Sequence, residues 1–201
     1  MRKLVKRTLV LGLLALCVLG GMVVADKQLL RENLIRLHVV ANSDSQEDQA
    51  IKLEVRDAII AALQEGMDTS MDADEAKEYL SAHLTDLEMV ANAALARAGS
   101  TNTATVTLGM EEFPVREYDT FSLPSGVYES LRVTIGEGEG HNWWCVVFPS
   151  LCVPATSADF TDAAVAAGFP EDLANTLAGD YEVRFFLLDY LGRLENFLGN
   201  S

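Results

Sequence analysis

Positive charge is scarce in this chain. Thirty acidic residues stand against 15 basic ones, a formal net charge of −15. Four of the basic residues, Arg2, Lys3, Lys6 and Arg7, lie together ahead of an apolar run over 9–24. From Asp26 onward the chain has 11 basic and 30 acidic residues, net −19. A surface this acidic is repelled by nucleic-acid phosphate and by anionic lipid. It suits solubility first, and a protein partner with a basic patch second. Histidine and cysteine are also few, three of each. His38, His83 and His141 are scattered singly, so nothing has the spacing of a metal centre, and no cofactor is expected. No phosphate cradle is present either. In the one glycine-rich run, Gly136-Glu-Gly-Glu-Gly140, the carboxylates of Glu137 and Glu139 repel an anion, and the run reads as a mobile hairpin turn. There is no internal repeat.

Residues 1–25 form a targeting segment: a basic start, an apolar run, and Val23-Val24-Ala25 ahead of Asp26. The run is slightly long for a cleaved signal and slightly short for a span of about 20 residues. Cleavage after Ala25 is the expectation, with a retained N-terminal anchor as the alternative. Cys17 follows Leu16, where lipid attachment wants a small residue. Cys145 and Cys152 remain, and an even pair in an exported chain predicts a disulfide. Phe148-Pro149 turns the chain between them, and its aromatic-proline step admits a cis peptide, trans being the default.

The patterning predicts an α+β fold: an antiparallel sheet with a helical pair packed on one face, behind the N-terminal signal segment. A first strand spans 34–40. A helix over 46–64 follows, capped by Ser45 or Asp44, with Ile51, Val55 and Ile59 on its apolar face. A second helix spans 73–98 behind a capping box of Asp72 and Glu75. His83 lies on its apolar face and reads as a core-edge histidine. From residue 101 the period becomes two, giving strands over 103–108, 115–118, 127–135 and 143–148, read as an antiparallel meander. Residues 157–178 carry one or two short helices. A strand over 181–187 and an amphipathic helix over 188–198 complete the expectation. The domain plan is 1–25 as signal or anchor, 26–155 as the α+β unit, and 156–201 as a helical extension packed on it.

Three stretches invite a chemical reading. Asn42-Ser43-Asp44-Ser45 offers four polar side chains where a helix start needs one cap. Asn42, Asp44 and Asp48 have calcium-ligand spacing, but Glu47 stands where such a loop needs glycine, and no glutamate closes it. His141 and Cys145 invite a cysteine-nucleophile reading. Residues four apart on a strand are roughly 13 Å apart, too far for proton transfer. Trp143 and Trp144 point to opposite faces of a strand, so one of them is a plausible hot spot for a partner.

Two long motifs in order resemble the stage II sporulation protein R family. The first is Ile35-Arg36-Leu-His-Val-Val-Ala-Asn-Ser-Asp-Ser-x-x-Asp-Gln-Ala-x-Lys-x-x-Val-Arg-Asp57. The second is Gly136-x-Gly-x-Gly-x-Asn-Trp-Trp-Cys-Val-Val-Phe-Pro-x-Leu-Cys152. Phe113-Pro-x-Arg-x-Tyr118 and Leu123-Pro-Ser-Gly-Val-Tyr128 fall between them. Ser150 departs from the pattern, since the family often has a second proline there. The resemblance covers 34–153. It implies a forespore protein secreted across the forespore membrane into the septal intermembrane space. There it activates a membrane-embedded aspartic protease of the mother cell, which processes the sigma factor E precursor. It implies no catalysis and no small-molecule substrate. The candidate partner-binding residues are Asn42, Ser43, Asp44, Ser45, Trp143 and Trp144, expected to lie near one another. The rival readings are a secreted hydrolase using Cys145 and a structural envelope module.

Overall fold

A computed structural model describes residues 2–68, 70–118, 121–149, 157–166 and 168–178. Helix α1 spans Arg2–Asn33 and runs without a break past Ala25. Among the described residues no helix is long and apolar enough to cross a membrane. Strand β1, Ile35–Val40, leads through the polar turn into α2, Gln46–Gly66. Then come α3, Ala73–Ala82, α4, Leu84–Arg97, and strand β2, Ala104–Phe113. Two short strands, β3 (Arg116–Glu117) and β4 (Ser122–Leu123), pair with each other. The long strands β5, Gly126–Ile135, and β6, Asn142–Phe148, precede α5, Ser157–Ala166, and α6, Glu171–Ala178. The strand and helix expected over 181–198 lie outside the described residues.

The fold is α+β, as the patterning predicts, and most strand pairs are antiparallel. The meander is not what forms. The four-stranded sheet has the order β2-β5-β1-β6. Strand β1 is antiparallel to β6 but parallel to β5, with Leu37 opposite both Leu131 and Cys145. The reason is burial: all six residues of β1 are buried, so both of its faces must be covered and it takes a central place. A consequence is that the 136–140 run is no hairpin turn. It carries the chain from β5 over the end of β1 to β6, two strands that are not neighbours.

One face of the sheet presents Leu37, Val39, Leu131, Val133, Cys145 and Val147 to α2 and α4. The other face holds a second core, in which Leu30 of α1 meets Phe113, Tyr128, Val146 and residues of α5 and α6. The single helix expected over 73–98 is two. His83 leaves helical geometry at φ −109°, ψ 15° and joins α3 to α4. Its Nδ1 bonds the Tyr79 carbonyl at 2.8 Å and its ring stacks on Tyr79 with centroids 4.1 Å apart. The break lets α3 pack beside α1 while α4 packs on α2 and β2. His83 is half-buried at that corner and not in the core.

Candidate functional site

The polar turn after β1 is a junction. Ser45 caps α2, its Oγ accepting from Asp48 N at 3.1 Å. Asp48 in turn accepts from Ser43 Oγ at 2.5 Å and Asn42 Nδ2 at 2.9 Å. These two donors, Ser43 first, hold the Asp48 carboxyl below the ordinary aspartate value. Asn42 also faces the glycine run: its Oδ1 accepts from Glu137 N at 3.1 Å, and its carbonyl accepts from Glu139 N at 3.2 Å. Gly140 N donates to the Ala41 carbonyl at 2.9 Å. The glycines are there because the two segments touch. A Cβ on Gly140 would run into the Ser43 carbonyl and lie 2.8 Å from Ala41 Cβ. A Cβ on Gly136, at φ +56°, would meet the Asn42 side chain.

Asp44 closes the junction. Its Oδ1 accepts from His141 N at 2.6 Å and is bonded to His141 Nδ1 as well. The bond from the imidazole, then that from the His141 backbone, lowers the Asp44 carboxyl below its ordinary value. Both side chains remain exposed. Beneath them Lys52 of α2 donates to the His141 carbonyl at 3.0 Å and to Gln49 Oε1 at 2.6 Å. Burial lowers the Lys52 ammonium below the ordinary lysine value, against the pull of Asp44. One helical turn on, Arg56 lies over the Trp143 ring, 4.2 Å from its centroid. Trp143 is 37% exposed. The turn, His141 and Trp143 thus share one corner of the molecule.

The structure separates the two tryptophans. Trp144 lies on the opposite face, stacked on His38 at 5.5 Å between centroids, with the Arg116 guanidinium 3.6 Å from its ring centroid. Arg36 and His38 alternate with apolar neighbours on β1 and so share that face. Arg36 is fully buried, with its guanidinium 4.1 Å from the Phe113 ring centroid and Nη2 donating to Tyr118 Oη at 2.7 Å. Burial raises the Tyr118 hydroxyl above its ordinary value, opposed by Arg36. His38 Nδ1 meets Glu111 Oε1 at 2.8 Å. Glu111 also accepts from Arg132 Nη1 and Ser130 Oγ, both at 2.9 Å.

The excess of polar residues at 42–45 therefore has a structural account: one caps, two tie Asp48 and the glycine run, one holds His141. Asn42 and Asp48 bond one another while Asp44 is taken by His141. Among the described residues no group of three or more His, Cys, Asp or Glu could hold a metal ion. Cys145 is in the helix-side core at 7% exposure, and His141 is latched to Asp44. Cys152 lies outside the described residues. The Phe148–Pro149 peptide is cis. In the sequence His141 stands as a lone histidine and as a partner for Cys145, and Lys52 and Arg56 stand only as letters of the first motif. The i, i+4 spacing of Lys52 and Arg56 beside a glycine-spaced loop was the available signal. Arg36 and His38 stand in the same motif, and their alternation in an apolar run places two polar side chains on one face.

A family model described as stage II sporulation protein R matches residues 31–158. Among curated proteins, "Stage II sporulation protein R" of Bacillus subtilis (strain 168) is 33% identical over 121 residues. That stretch is 60% of this chain and 54% of the relative, so the match spans about half the relative's length. No solved structure gives a significant match.

Proposed function

Since this chain belongs to the stage II sporulation protein R family, we propose that it is a secreted intercellular signal in sporulation. It leaves the forespore and engages a membrane-embedded aspartic protease of the mother cell, which then processes the sigma factor E precursor. Its work is binding: it stabilises the protease's active state more than the inactive one. The observation that carries this reading is the family match over 31–158, which contains both the polar turn and the tryptophan strand. The surface that fits the role is the corner where exposed Asp44 and His141 stand beside half-exposed Trp143 under Arg56. A large aromatic flanked by orienting polar groups has the make-up of an interface hot spot. Asn42, Ser43 and Ser45 position that corner, and Trp144 serves a different face.

Export is by signal removal after Ala25, and Cys145 pairs with Cys152. The burial of Cys145 suits a paired cysteine and holds its sulfur away from a substrate. Alkylation of both thiols in unreduced protein would refute it.

The test of the function is gene deletion with an immunoblot for sigma factor during sporulation. Loss of the processed form is expected, and normal processing overturns the proposal. For the surface, Asp44→Ala and Trp143→Ala should be secreted and folded yet lower processing sharply. Full processing by both would place the signalling surface elsewhere.

A further inference from the structure

The sheet has an edge that the fold covers over only half its length. Strand β2 pairs with β5 on one side and, among the described residues, with no strand on the other. In an antiparallel strand the backbone groups alternate, residue by residue, between the paired side and the outer side. Ala104 and Val106 turn theirs outward, where α4 meets them. Asn92 accepts from Ala104 N at 2.9 Å and donates to the Ala104 carbonyl at 3.0 Å, and Glu88 accepts from Val106 N at 3.1 Å. These two side chains stand in for a neighbouring strand. The register runs on without a shift to Phe113, so Leu108, Met110 and Glu112 turn their N–H and C=O groups the same way. Among the described residues no hydrogen bond meets them there. Proteins ordinarily shield such an edge with lysine, proline or a bulge. Residues 104–113 contain no lysine and no proline, and their pairing has no bulge. Met110 is instead 48% exposed.

Beside this edge lies an open groove of about 1310 Å³, between α1, α3 and the ends of β2 and β5. Met110 and Val127, the latter 40% exposed, give it apolar surface. Five carboxylates line it against two cations, Arg31 and Lys77, and Lys77 is paired with Glu129. Glu32, Asp72, Asp74 and Glu112 are then set against Arg31 alone. We propose that the 108–112 edge of β2 takes up an extended segment of the partner protein as an added strand. That segment has apolar side chains at alternate positions, flanked by lysine or arginine. Its main chain bonds the outward groups of Leu108, Met110 and Glu112. Its apolar side chains stand beside Met110 and cover it at the mouth of the groove, and its basic side chains answer the acidic lining. A second copy of this chain, itself at net −15, would set the same carboxylates against themselves. The inference deepens the reading that the chain acts by binding a protein, and rests on it.

The probe is the peptide acetyl-Lys-Val-Thr-Val-Lys-amide, titrated by calorimetry into the chain as secreted, with amide hydrogen exchange followed residue by residue by NMR. Saturable binding is expected. At ten times the Kd the amides of Leu108, Met110 and Glu112 should exchange about tenfold more slowly, since only the unbound fraction exchanges. The same peptide N-methylated at every residue should not bind, and the counterpart with both lysines replaced by glutamate should bind far more weakly. Met110→Pro removes the central outward N–H while leaving every bond to β5, and should weaken binding about tenfold or more. Met110→Lys, at an exposed position, sets a like charge against the peptide and should also weaken it, whereas Val165→Lys, exposed on α5, should not. The proposal is overturned by no binding, by equal binding of the N-methylated or glutamyl peptide, or by binding that leaves those three amides unprotected. Full binding by Met110→Lys, or an equal loss in Val165→Lys, overturns it too. The two readings fail separately. Peptide binding with normal processing in the deletion strain sinks only the signalling role, and lost processing without peptide binding sinks only this edge.

Discussion

Gly140 shows how tightly single residues are specified at the junction. Its missing side chain lets the β5–β6 connection press on the Ser43 carbonyl, where backbone cannot yield as a side chain would. Gly140→Ala should destabilise the protein by about 1–3 kcal/mol, the usual range for overpacking. Gly109→Ala, with open space around the added methyl, should be nearly silent in the same thermal melts. The carboxylates of the turn set a pH dependence. Asp44 and Asp48 are both held below their ordinary values in the folded chain. Their contribution is thus complete above about pH 4 and is lost as pH falls through the lowered folded-state values. Urea midpoints between pH 2 and 6 should fall on acidification, and less steeply in Asp48→Asn. An unchanged slope would mean that Asp48 is no better held folded than unfolded.

At the scale of elements, α2 was legible almost to the residue. Polar residues ended an apolar run, Ser45 offered a cap, and Ile51, Val55 and Ile59 recurred on one face. Ser45→Ala should cost about 1 kcal/mol, read as a lower urea midpoint with unchanged m. The second helix was legible as helical but not as two. Its apolar positions, Ala76, Leu80, Leu87 and Ala91, keep their spacing across the break, so periodicity carries no mark at His83. What bends the chain there is tertiary: α3 and α4 pack on different neighbours. The turn at 42–45 was legible as exceptional, but only part of its use, because Asp48 is close by while Glu137 and His141 lie about a hundred residues on.

For the whole molecule, the decisive strand is β1. It is paired on both sides and buried on both faces, so it can settle only when β5 and β6 are both in place. Leu37, wholly buried between Leu131 and Cys145, should lose about 2–5 kcal/mol on change to alanine. Leu53, 37% exposed on α2, should stay within about 0.5 kcal/mol on the same change. Equal effects at the two positions in chemical denaturation would contradict a central β1.

The sequence by itself determined the α+β class, the extents of most described strands, the caps of α2 and α3, and the acidity of the chain. These are local properties: period, turn chemistry and charge are written in neighbouring residues. Only the tertiary structure decided that β1 enters between β5 and β6 and that His141 returns to Asp44. Each of those joins residues far apart in the chain, and long-range pairing is fixed by which faces must be buried together, a condition no short window of sequence contains.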